Sequence, residues 1–515
     1  MAGLAKIAME WLQDPLSWLL VASVAFVVLQ RRQRGKAPPL PPGPYALPIV
    51  GNMLMMDQLT HRGLLELAKQ YGGLLHLRLG KLHAIAVSTP EYAQEVLHAQ
   101  DGAFSNRPAT IASTYLTRRR AGTWLAVRDE SAALVRAVAR RSGESVNLGE
   151  LILNLTKNVT FRAAFGTAGD GDGGKQDEFI AIIKEFPQLF AAFSIGDFIP
   201  WLSWADTQGI NVRLRAARAA LDEFIDKIID GHMKRSKNPD DIDADMVDDM
   251  LAFLPEAKSK MAVGDGGDDL HNTLSLTRDN IKAIIMDVMF GGTETVATAV
   301  EWAMAEMMHN PDDLLRLQKE ITNMVGLDRN VDDSDLNKLP FLKCVVKETL
   351  RLHPPFPLLH NETAEDCVVG GYSVPRGSRV MINVFAMGRD AKAWKGADTF
   401  RPSRFMPGEG EATGVDFMGG CFAFLPFGSG RRSCPGMALG LYSLELIVAQ
   451  LAHGFSWVLP DGMKPSDLDM ADIFGFTAPR ATRLCVVPTP RLACLFVTNV
   501  DSTRQTTLFA SVGGV

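Results

Sequence analysis

A single cysteine-bearing loop constrains the fold of this chain more than any other feature. Cys434 lies in residues 426–436, PFGSGRRSCPG, just ahead of an apolar helical stretch. The glycines at 428 and 430 let the backbone approach the sulfur closely, so that amide N–H groups can tune it. A thiolate presented in this way can be the electron-rich axial ligand of haem iron, which favours O–O cleavage. The alternative is a buried free cysteine in a turn, the common state of a lone cysteine.

The residues around this cysteine have complementary roles. Arg432 is placed to meet a haem propionate, because a guanidinium pairs well with a carboxylate. The spaced pattern Phe-Gly-x-Gly-x-Arg-x-Cys-x-Gly therefore favours a haem-thiolate site over a merely buried cysteine. The residues that we expect to hold the cofactor are Phe427, Gly428, Gly430, Arg432, Cys434 and Gly436, with Cys434 as the axial ligand of the iron.

Composition narrows the class of protein further. A chain of 515 residues exceeds one ordinary domain, and we expect one large catalytic domain. The net charge is −6, with 53 basic and 59 acidic residues and no long Lys/Arg stripe, so nucleic acid is not an expected partner. Six cysteines without a C-x-x-C pair favour a reducing compartment over a disulfide scaffold.

The first 36 residues have the pattern of a membrane anchor. Residues 15–29, PLSWLLVASVAFVVL, carry no charge and are followed by a basic cluster that begins at Arg31. The positive-inside rule then places the rest of the chain in the cytosol. A cleaved signal peptide is the alternative, but the basic cluster follows the apolar run and no small-x-small cleavage site precedes it.

We divide the chain on this basis. Residues 37–44 contain a proline-rich run that predicts a stiff, non-helical hinge, because proline fixes φ and lacks an N–H. Residues 45–491 form the catalytic domain, and residues 492–515 form a tail of unusual sequence.

The catalytic domain is predicted to be mainly α-helical with a small β lobe. Residues 74–79 and 84–88 indicate a strand pair joined by a turn at Gly80 and Lys81. From Leu148 onward helical periodicity dominates. The longest helix is predicted to begin after an N-cap at Thr277 and to end near Asn310, and its wide apolar distribution predicts that it crosses the interior.

A glycine pair on this long helix suggests a site for chemistry. Residues 290–295 read FGGTET, and each glycine costs up to ~1 kcal/mol of helix stability against alanine, which close approach of a ligand would explain. We expect the glycines to interrupt the helix and dioxygen to occupy the gap, while Glu294 and Thr295 relay protons to it. The alternative is a helix kink with a solvent-facing glutamate.

A second charged pattern is predicted to be structural. Glu348 and Arg351 are i,i+3 neighbours on one helix face, and alone such a pair is commonly a solvated ion pair of little value. Downstream, Arg404 lies between aromatic residues in the segment FRPSRF.

Together these segments resemble the cytochrome P-450 superfamily. The proline hinge, Gly-Gly-x-Glu-Thr, Glu-x-x-Arg, Arg404 and the cysteine loop occur in the family's order, from the anchor to about Arg491. The resemblance implies the cytochrome P-450 fold and haem b, iron protoporphyrin IX, as cofactor. It also implies a buried Glu348, Arg351 and Arg404 network beneath the cysteine loop, and anchorage in the endoplasmic reticulum membrane with the catalytic domain in the cytosol.

Three segments narrow the resemblance. Residues 154–160, 289–295 and 360–367 look like those of the plant ferulate (coniferaldehyde) 5-hydroxylases of syringyl lignin synthesis. That family hydroxylates the ring carbon next to a phenolic hydroxyl, using O₂ and two electrons that an NADPH-dependent flavoprotein reductase supplies. By the same resemblance, the small aromatic substrate would contact Met289, Phe290, Gly291, Phe356, Leu358, Leu359, Phe474 and Phe476, within a lining that extends to Thr477.

The chain departs from this family at one junction. Family members carry a helix with Trp-x-x-x-Arg between segments like residues 105–108 and 118–121, whereas here Thr117 passes directly to Arg118. Trp124 and Arg128 have the same spacing, but in register they follow the lost helix, and we interpret them as a chance match. Asn361 occupies the place where the family has His or Arg near a propionate.

Two alternatives to the hydroxylase remain open. The missing helix favours a haem-poor pseudo-enzyme that keeps only membrane and partner contacts. A haem enzyme acting on another aromatic, such as a flavonoid, is the other alternative, and the intact cysteine and Glu-Thr motifs favour it as much as they favour the hydroxylase.

Overall fold

The computed structural model of the chain describes residues 38–104, 121–165, 209–235, 246–251, 253–254 and 276–493. The expected anchor in residues 1–36, the junction of Thr117 with Arg118 and the tail beyond residue 493 lie outside the described residues. The helices of the described residues are α1 (His61–Tyr71), α2 (Pro90–Gln94), α3 (Asp101–Phe104), α4 (Ala121–Ala139), α5 (Leu148–Phe165), α6 (Ile210–Arg235), α7 (Met246–Leu251), α8 (Arg278–His309), α9 (Pro311–Val325), α10 (Pro340–Leu352), α11 (Val384–Met387) and α12 (Met437–Gly454).

Nine short strands accompany these helices in the described part of the chain. They are β1 (Leu74–Leu79), β2 (Leu82–Val87), β3 (Val146–Asn147), β4 (Leu358–Glu362), β5 (Cys367–Val369), β6 (Tyr372–Val374), β7 (Arg379–Asn383), β8 (Phe455–Val458) and β9 (Cys485–Pro490). The architecture is therefore mainly α with a small β lobe, as the sequence predicts.

The long helix α8 begins and ends where the sequence predicts. Thr277 is its N-cap, and the Thr277 hydroxyl and the Asn280 side chain exchange hydrogen bonds with each other's backbone N–H. Such a capping box satisfies two amide groups that have no partner within the helix. Asn310 is the C-cap, because Pro311 begins the next helix.

Helix α8 crosses the interior, and each half packs in a different core. Its C-terminal half, which contains Trp302, packs with α5 and α12 in the central core. Its N-terminal half packs with α6 around Phe224 and Ile285. Among the described residues, α8 and α12 are long and apolar enough to cross a membrane, but both contribute many buried residues to the central core.

The β lobe contains the predicted hairpin. Strands β1 and β2 pair antiparallel from Leu74 with Val87 to Leu79 with Leu82, and the four-stranded sheet has the order β1-β2-β7-β4. The proline-rich segment is docked on this lobe, since the Pro42 carbonyl accepts from the His76 N–H at 2.9 Å and the Pro39 carbonyl accepts from the Ser373 N–H at 2.8 Å. The described part of the hinge, from residue 38, is thus non-helical as predicted, but it is also fastened to the sheet.

Candidate active site

The cysteine loop is a series of tight turns that end at the N-terminus of α12. Gly428 and Gly430 have φ values of +73° and +64°, in the left-handed region that side chains with a Cβ rarely adopt. The Cys434 N–H donates to the Phe427 carbonyl at 2.8 Å, and the Ser433 N–H donates to the Gly430 carbonyl at 3.1 Å. The two glycines therefore shape the loop, as their spacing predicts.

The Cys434 thiol lies in a recess that is open to solvent. The residue is exposed, yet the burial of its sulfur among neighbouring atoms raises the pKa of the Cys434 thiol, while the Gly436 N–H opposes that rise by hydrogen bonding. A Cβ placed on Gly436 would lie 3.9 Å from the sulfur. A soft thiol with one amide donor beside it suits an iron ligand, because the metal itself stabilises the thiolate.

Beneath the loop, the predicted Glu348, Arg351 and Arg404 network is complete. The Arg351 Nε and Nη2 atoms donate to the two Glu348 carboxylate oxygens at 2.8 Å each. The Arg404 Nε atom contacts both oxygens at 3.0 Å, and all three side chains have 0% exposure. The Arg401 N–H adds a further donor at 2.7 Å. This is a buried, saturated network and not the solvated ion pair that was the alternative.

A chain of aromatic rings joins this network to the cysteine loop. The Arg351 guanidinium lies 5.4 Å from the Trp394 ring, and Trp394 contacts Phe424 with ring centroids 6.4 Å apart. Phe417 contacts both Phe424 and Phe427, at 5.6 and 5.8 Å. Sequence reasoning did not find this connection, because Phe417 and Phe424 fall in an irregular segment with no periodicity to reveal their inward orientation.

Helix α8 continues through the glycine pair, which corrects the expectation that these glycines interrupt it. The Thr295 hydroxyl donates to the Gly291 carbonyl at 2.6 Å, within the helix. Among the described residues, nothing lies within 4 Å of a Cβ placed on Gly291, so this face of α8 adjoins space that the described part of the chain does not fill. The expected ligand space is therefore beside an unbroken helix and not in a gap within it.

The remaining contacts place the Glu-Thr motif near the cysteine helix. The Glu294 Oε2 atom accepts from the Thr477 hydroxyl at 3.0 Å. A Cβ on Gly440, in α12, would lie 4.0 Å from the Val296 side chain of α8. The helix that follows Cys434 thus crosses α8 one residue from Thr295.

The residues expected to contact substrate differ in how deeply they are buried. Phe356 and Phe476 are half-buried and meet edge to face with centroids 4.5 Å apart, and the side chain of Leu359 lies near Gly428. Met289 is 0% exposed and Leu358 is 3% exposed, and each packs inside an apolar core. Their contact with substrate stays a prediction. Of the other three residues expected to contact substrate, Phe290 is half-buried, and Gly291 and Phe474 are exposed.

Near the expected position of a haem propionate, the polar side chains of Asn361 and Arg431 have hydrogen-bond partners within the protein. The Asn361 amide donates to the Phe104 carbonyl at 3.1 Å, so it holds α3 against β4. His360 is exposed on β4, yet desolvation by neighbouring atoms and the nearby Arg379 guanidinium lower the pKa of its ring. The Arg431 Nε atom donates to Asp101 at 2.6 Å.

Trp124 and Arg128 lie on α4, the helix that follows the junction of Thr117 with Arg118 in the sequence. The Trp124 ring contacts the Tyr442 ring of α12, with centroids 4.2 Å apart. Arg128 is about half exposed and forms a 3.7 Å ion pair with Asp332. The two side chains therefore have separate partners, which fits the interpretation of their spacing as a chance match.

The residues present fit a thiolate-bound haem. The exposed residue Cys434 supplies a thiol ligand for the iron. The space beside Gly291, which no described residue fills, leaves room for the cofactor near the crossing of α8 and α12. Cys434 would hold the iron, and Arg432 is the candidate for a propionate.

Comparison with known proteins agrees with this geometry. The profile of the family described as Cytochrome P450 matches residues 41–130 and 113–485. The chain is 54% identical to Cytochrome P450 84A1 of Arabidopsis thaliana, over 94% of this chain and 98% of that protein. It is 47% identical to Cytochrome P450 84A4 of Arabidopsis thaliana, over 93% and 97%, and 36% identical to a Flavonoid 3'-monooxygenase of Arabidopsis thaliana, over 92% and 97%.

The chain therefore belongs to the cytochrome P450 family. Membership confirms the predicted fold class and the assignment as an oxygenase enzyme, and it implies a haem cofactor. Enzymes of this family generally use a redox partner, O₂ and a small substrate.

Proposed function

We propose that the chain hydroxylates the 5-position of a ferulate, coniferaldehyde or coniferyl alcohol type phenylpropanoid in lignin biosynthesis. The observation that carries the proposal is the Glu294 and Thr295 pair on α8, which lies beside the helix that follows Cys434. The segments that resemble ferulate 5-hydroxylases include this motif. The chain is 36% identical to the Flavonoid 3'-monooxygenase but 54% identical to Cytochrome P450 84A1, which makes a flavonoid the weaker alternative.

The chain's own residues would divide the work. Thiolate-bound haem, once present, supplies the capacity for O–O cleavage. Cys434 would hold the iron, and the saturated network at Glu348 would keep the loop in place. The Glu294 carboxylate, which accepts from Thr477, and the Thr295 hydroxyl, one helical turn from Gly291, would hold and move protons. The half-buried ring pair of Phe356 and Phe476 offers an aromatic surface to a phenolic ring.

Membrane attachment and electron supply complete the proposal. We propose that residues 1–36 anchor the chain in the endoplasmic reticulum membrane, with its catalytic domain in the cytosol. Electrons would come from NADPH through a cytochrome reductase. The uncharged run at 15–29 with its following basic cluster supports this orientation.

The missing Trp-x-x-x-Arg helix supports a second candidate, a haem-poor isoform. The family profile matches in two segments that overlap at residues 113–130, next to the junction of Thr117 with Arg118. The alignment with Cytochrome P450 84A1 spans 517 positions but only 94% of this 515-residue chain, so some positions of that relative have no counterpart here. Arg128 pairs with Asp332 and the Asn361 amide donates to the Phe104 carbonyl, so each of these side chains already has a partner within the protein.

One experiment separates these candidates. The full chain is expressed in microsomes with a plant reductase, and the carbon monoxide difference spectrum of the reduced protein is recorded. A thiolate-type spectrum together with 5-hydroxylation of coniferaldehyde supports the proposal. Apoprotein without that spectrum supports the haem-poor isoform, and a thiolate-type spectrum with turnover of a flavonoid alone would replace the substrate assignment.

A further inference from the structure

Glu294, the acid of the Glu-Thr pair, is held by a residue outside α8. Its Oε2 atom accepts from the hydroxyl of Thr477, which is 183 positions away in sequence. Thr477 is 4% exposed, so little water competes for this hydrogen bond. Thr295 does not offer Glu294 its hydroxyl proton, because that proton is directed to the Gly291 carbonyl.

Thr477 belongs to a loop that is fastened at several points. The Trp302 Nε1 atom of α8 donates to the Ala478 carbonyl at 3.0 Å, and the Ala478 N–H donates to the Pro355 carbonyl at 3.0 Å. The base of the loop is closed by the Ala481 N–H, which donates to the Ala471 carbonyl at 2.8 Å. Residues 471–481, which we call the docking loop, therefore join α8 to the segment after α10.

The docking loop also presents aromatic side chains. Phe476, directly before Thr477, packs edge to face on Phe356, and Phe474 is 42% exposed. A ring bound beside Phe356 would contact the same loop that holds Glu294. A shift of the docking loop would therefore move both the partner of the Glu294 carboxylate and one side of the aromatic surface at Phe356.

We infer that Thr477 is a positioning residue. It fixes the Glu294 carboxylate, and it links proton delivery to the position of the docking loop, residues 471–481. This inference rests on the proposed function for the role of Glu294. A hydrogen bond to a carboxylate is strong enough that its loss changes a population or rate roughly tenfold. Thr477→Val keeps the shape of the side chain and removes only the donor.

The test measures how NADPH electrons divide between hydroxylated product and peroxide. Thr477→Val should raise the ratio of peroxide to product by roughly tenfold, while Thr477→Ser, which restores a hydroxyl, should return it close to the unmodified value. Thr482→Val is the matched control, because the Thr482 hydroxyl donates to Asp469 at 2.9 Å in the neighbouring segment and does not involve Glu294. It should leave the ratio unchanged.

A double-variant comparison assigns the effect to Glu294. In a Glu294→Ala background, which has no side-chain oxygen to accept from the Thr477 hydroxyl, Thr477→Val should add less than about a twofold change, since coupled residues are not additive. An equal effect in both backgrounds would overturn the inference, as would an unchanged ratio in Thr477→Val alone. The Thr477→Ser arm guards against a merely structural loss, because a packing defect would not be rescued by a smaller hydroxyl residue.

Hydrogen–deuterium exchange gives a readout that needs no turnover. Peptides covering residues 471–481 should exchange faster in Thr477→Val and not in Thr482→Val. The electron ratio is measured with whichever aromatic, coniferaldehyde or a flavonoid, the unmodified chain hydroxylates, so a wrong substrate class leaves this test intact. If the unmodified chain hydroxylates neither, the proposed function fails, and unchanged exchange in Thr477→Val would separately show that the Thr477 contact does not hold the loop.

Discussion

The two sides of the candidate haem site, the buried network at Glu348 and the face of α8 at Thr295, differ in how many hydrogen bonds their polar groups form within the protein. Beneath the cysteine loop, Glu348 receives donors from Arg351, from Arg404 and from the Arg401 backbone, with no exposure to water. On the α8 side, within the described part of the chain, the Thr295 hydroxyl bonds inside its own helix and no atom lies within 4 Å of a Cβ placed on Gly291.

This difference separates two kinds of residue. A group in the saturated network has no alternative partner, so its loss should weaken folding and haem retention. A group on the open side faces ligand space, so its loss should change chemistry while the fold survives. Substitutions ranked by expected effect can break or sharpen this distinction.

The largest expected effect is at Cys434. Cys434→Ala should abolish the thiolate-type carbon monoxide spectrum completely, because no other residue of the loop offers a soft anionic ligand. Cys485→Ala is the control, since Cys485 is an exposed cysteine on β9. Survival of the spectrum in Cys434→Ala would show that the ligand is assigned to the wrong residue.

The next effect is expected in the buried network. Glu348→Gln removes the charge that two buried guanidiniums share, and breaking such a pair costs about 3–5 kcal/mol of folding stability. Denaturant unfolding and haem content should both decrease. Lys69→Met is the control, because the Lys69 and Glu66 side chains are 64% and 68% exposed and such pairs contribute about 1 kcal/mol or less. A Glu348→Gln protein as stable as the control would contradict the saturated network.

Sequence reasoning predicted the saturated side well and the open side less well. The buried network of Glu348, Arg351 and Arg404 was implied by the resemblance to the cytochrome P-450 family, whereas the i,i+3 spacing of Glu348 and Arg351 alone indicated a solvated ion pair. The cap at Thr277 and the β1–β2 hairpin followed from local rules that act within a few residues.

Most of what the sequence did not reveal depends on contacts between residues that are far apart in the chain. The packing of Met289, for example, depends on α6, which lies against it in the structure. The Thr477 contact with Glu294 spans 183 positions, and no local pattern reports such a distance. The continuity of α8 through its glycines was missed because a glycine weakens a helix without necessarily ending it.

The third prediction concerns the junction of Thr117 with Arg118. Insertion of the family's helix with Trp-x-x-x-Arg should raise haem affinity by about one to two orders of magnitude, because one charge-assisted hydrogen bond contributes about 1.5–3 kcal/mol. Coniferaldehyde hydroxylation should increase with it. A Gly/Ser insert of the same length is the control and should restore neither. Full haem occupancy and turnover in the chain without an insert would refute the haem-poor isoform.

The fourth prediction tests the open side. Thr295→Ala should leave NADPH consumption partly intact and divert electrons to peroxide severalfold, because a hydroxyl is lost where protons are handled. The stability cost should stay within about 1 kcal/mol, since only one hydrogen bond, to the Gly291 carbonyl, is removed. Thr295→Ser retains the hydroxyl and serves as the control. Unchanged coupling in Thr295→Ala would remove this residue from the mechanism.

The smallest effect is expected at Arg128, whose spacing from Trp124 imitates the lost motif. Arg128 is about half exposed and its ion pair with Asp332 measures 3.7 Å, so Arg128→Ala should change stability by about 1 kcal/mol or less and leave haem content unchanged. Arg432→Ala is the comparison, because Arg432 lies in the cysteine loop and should lower haem affinity roughly tenfold. Haem titration of both variants decides the matter. If Arg128→Ala loses haem as strongly as Arg432→Ala, Arg128 must contribute to haem binding, and the interpretation of its spacing from Trp124 as a chance match would be wrong.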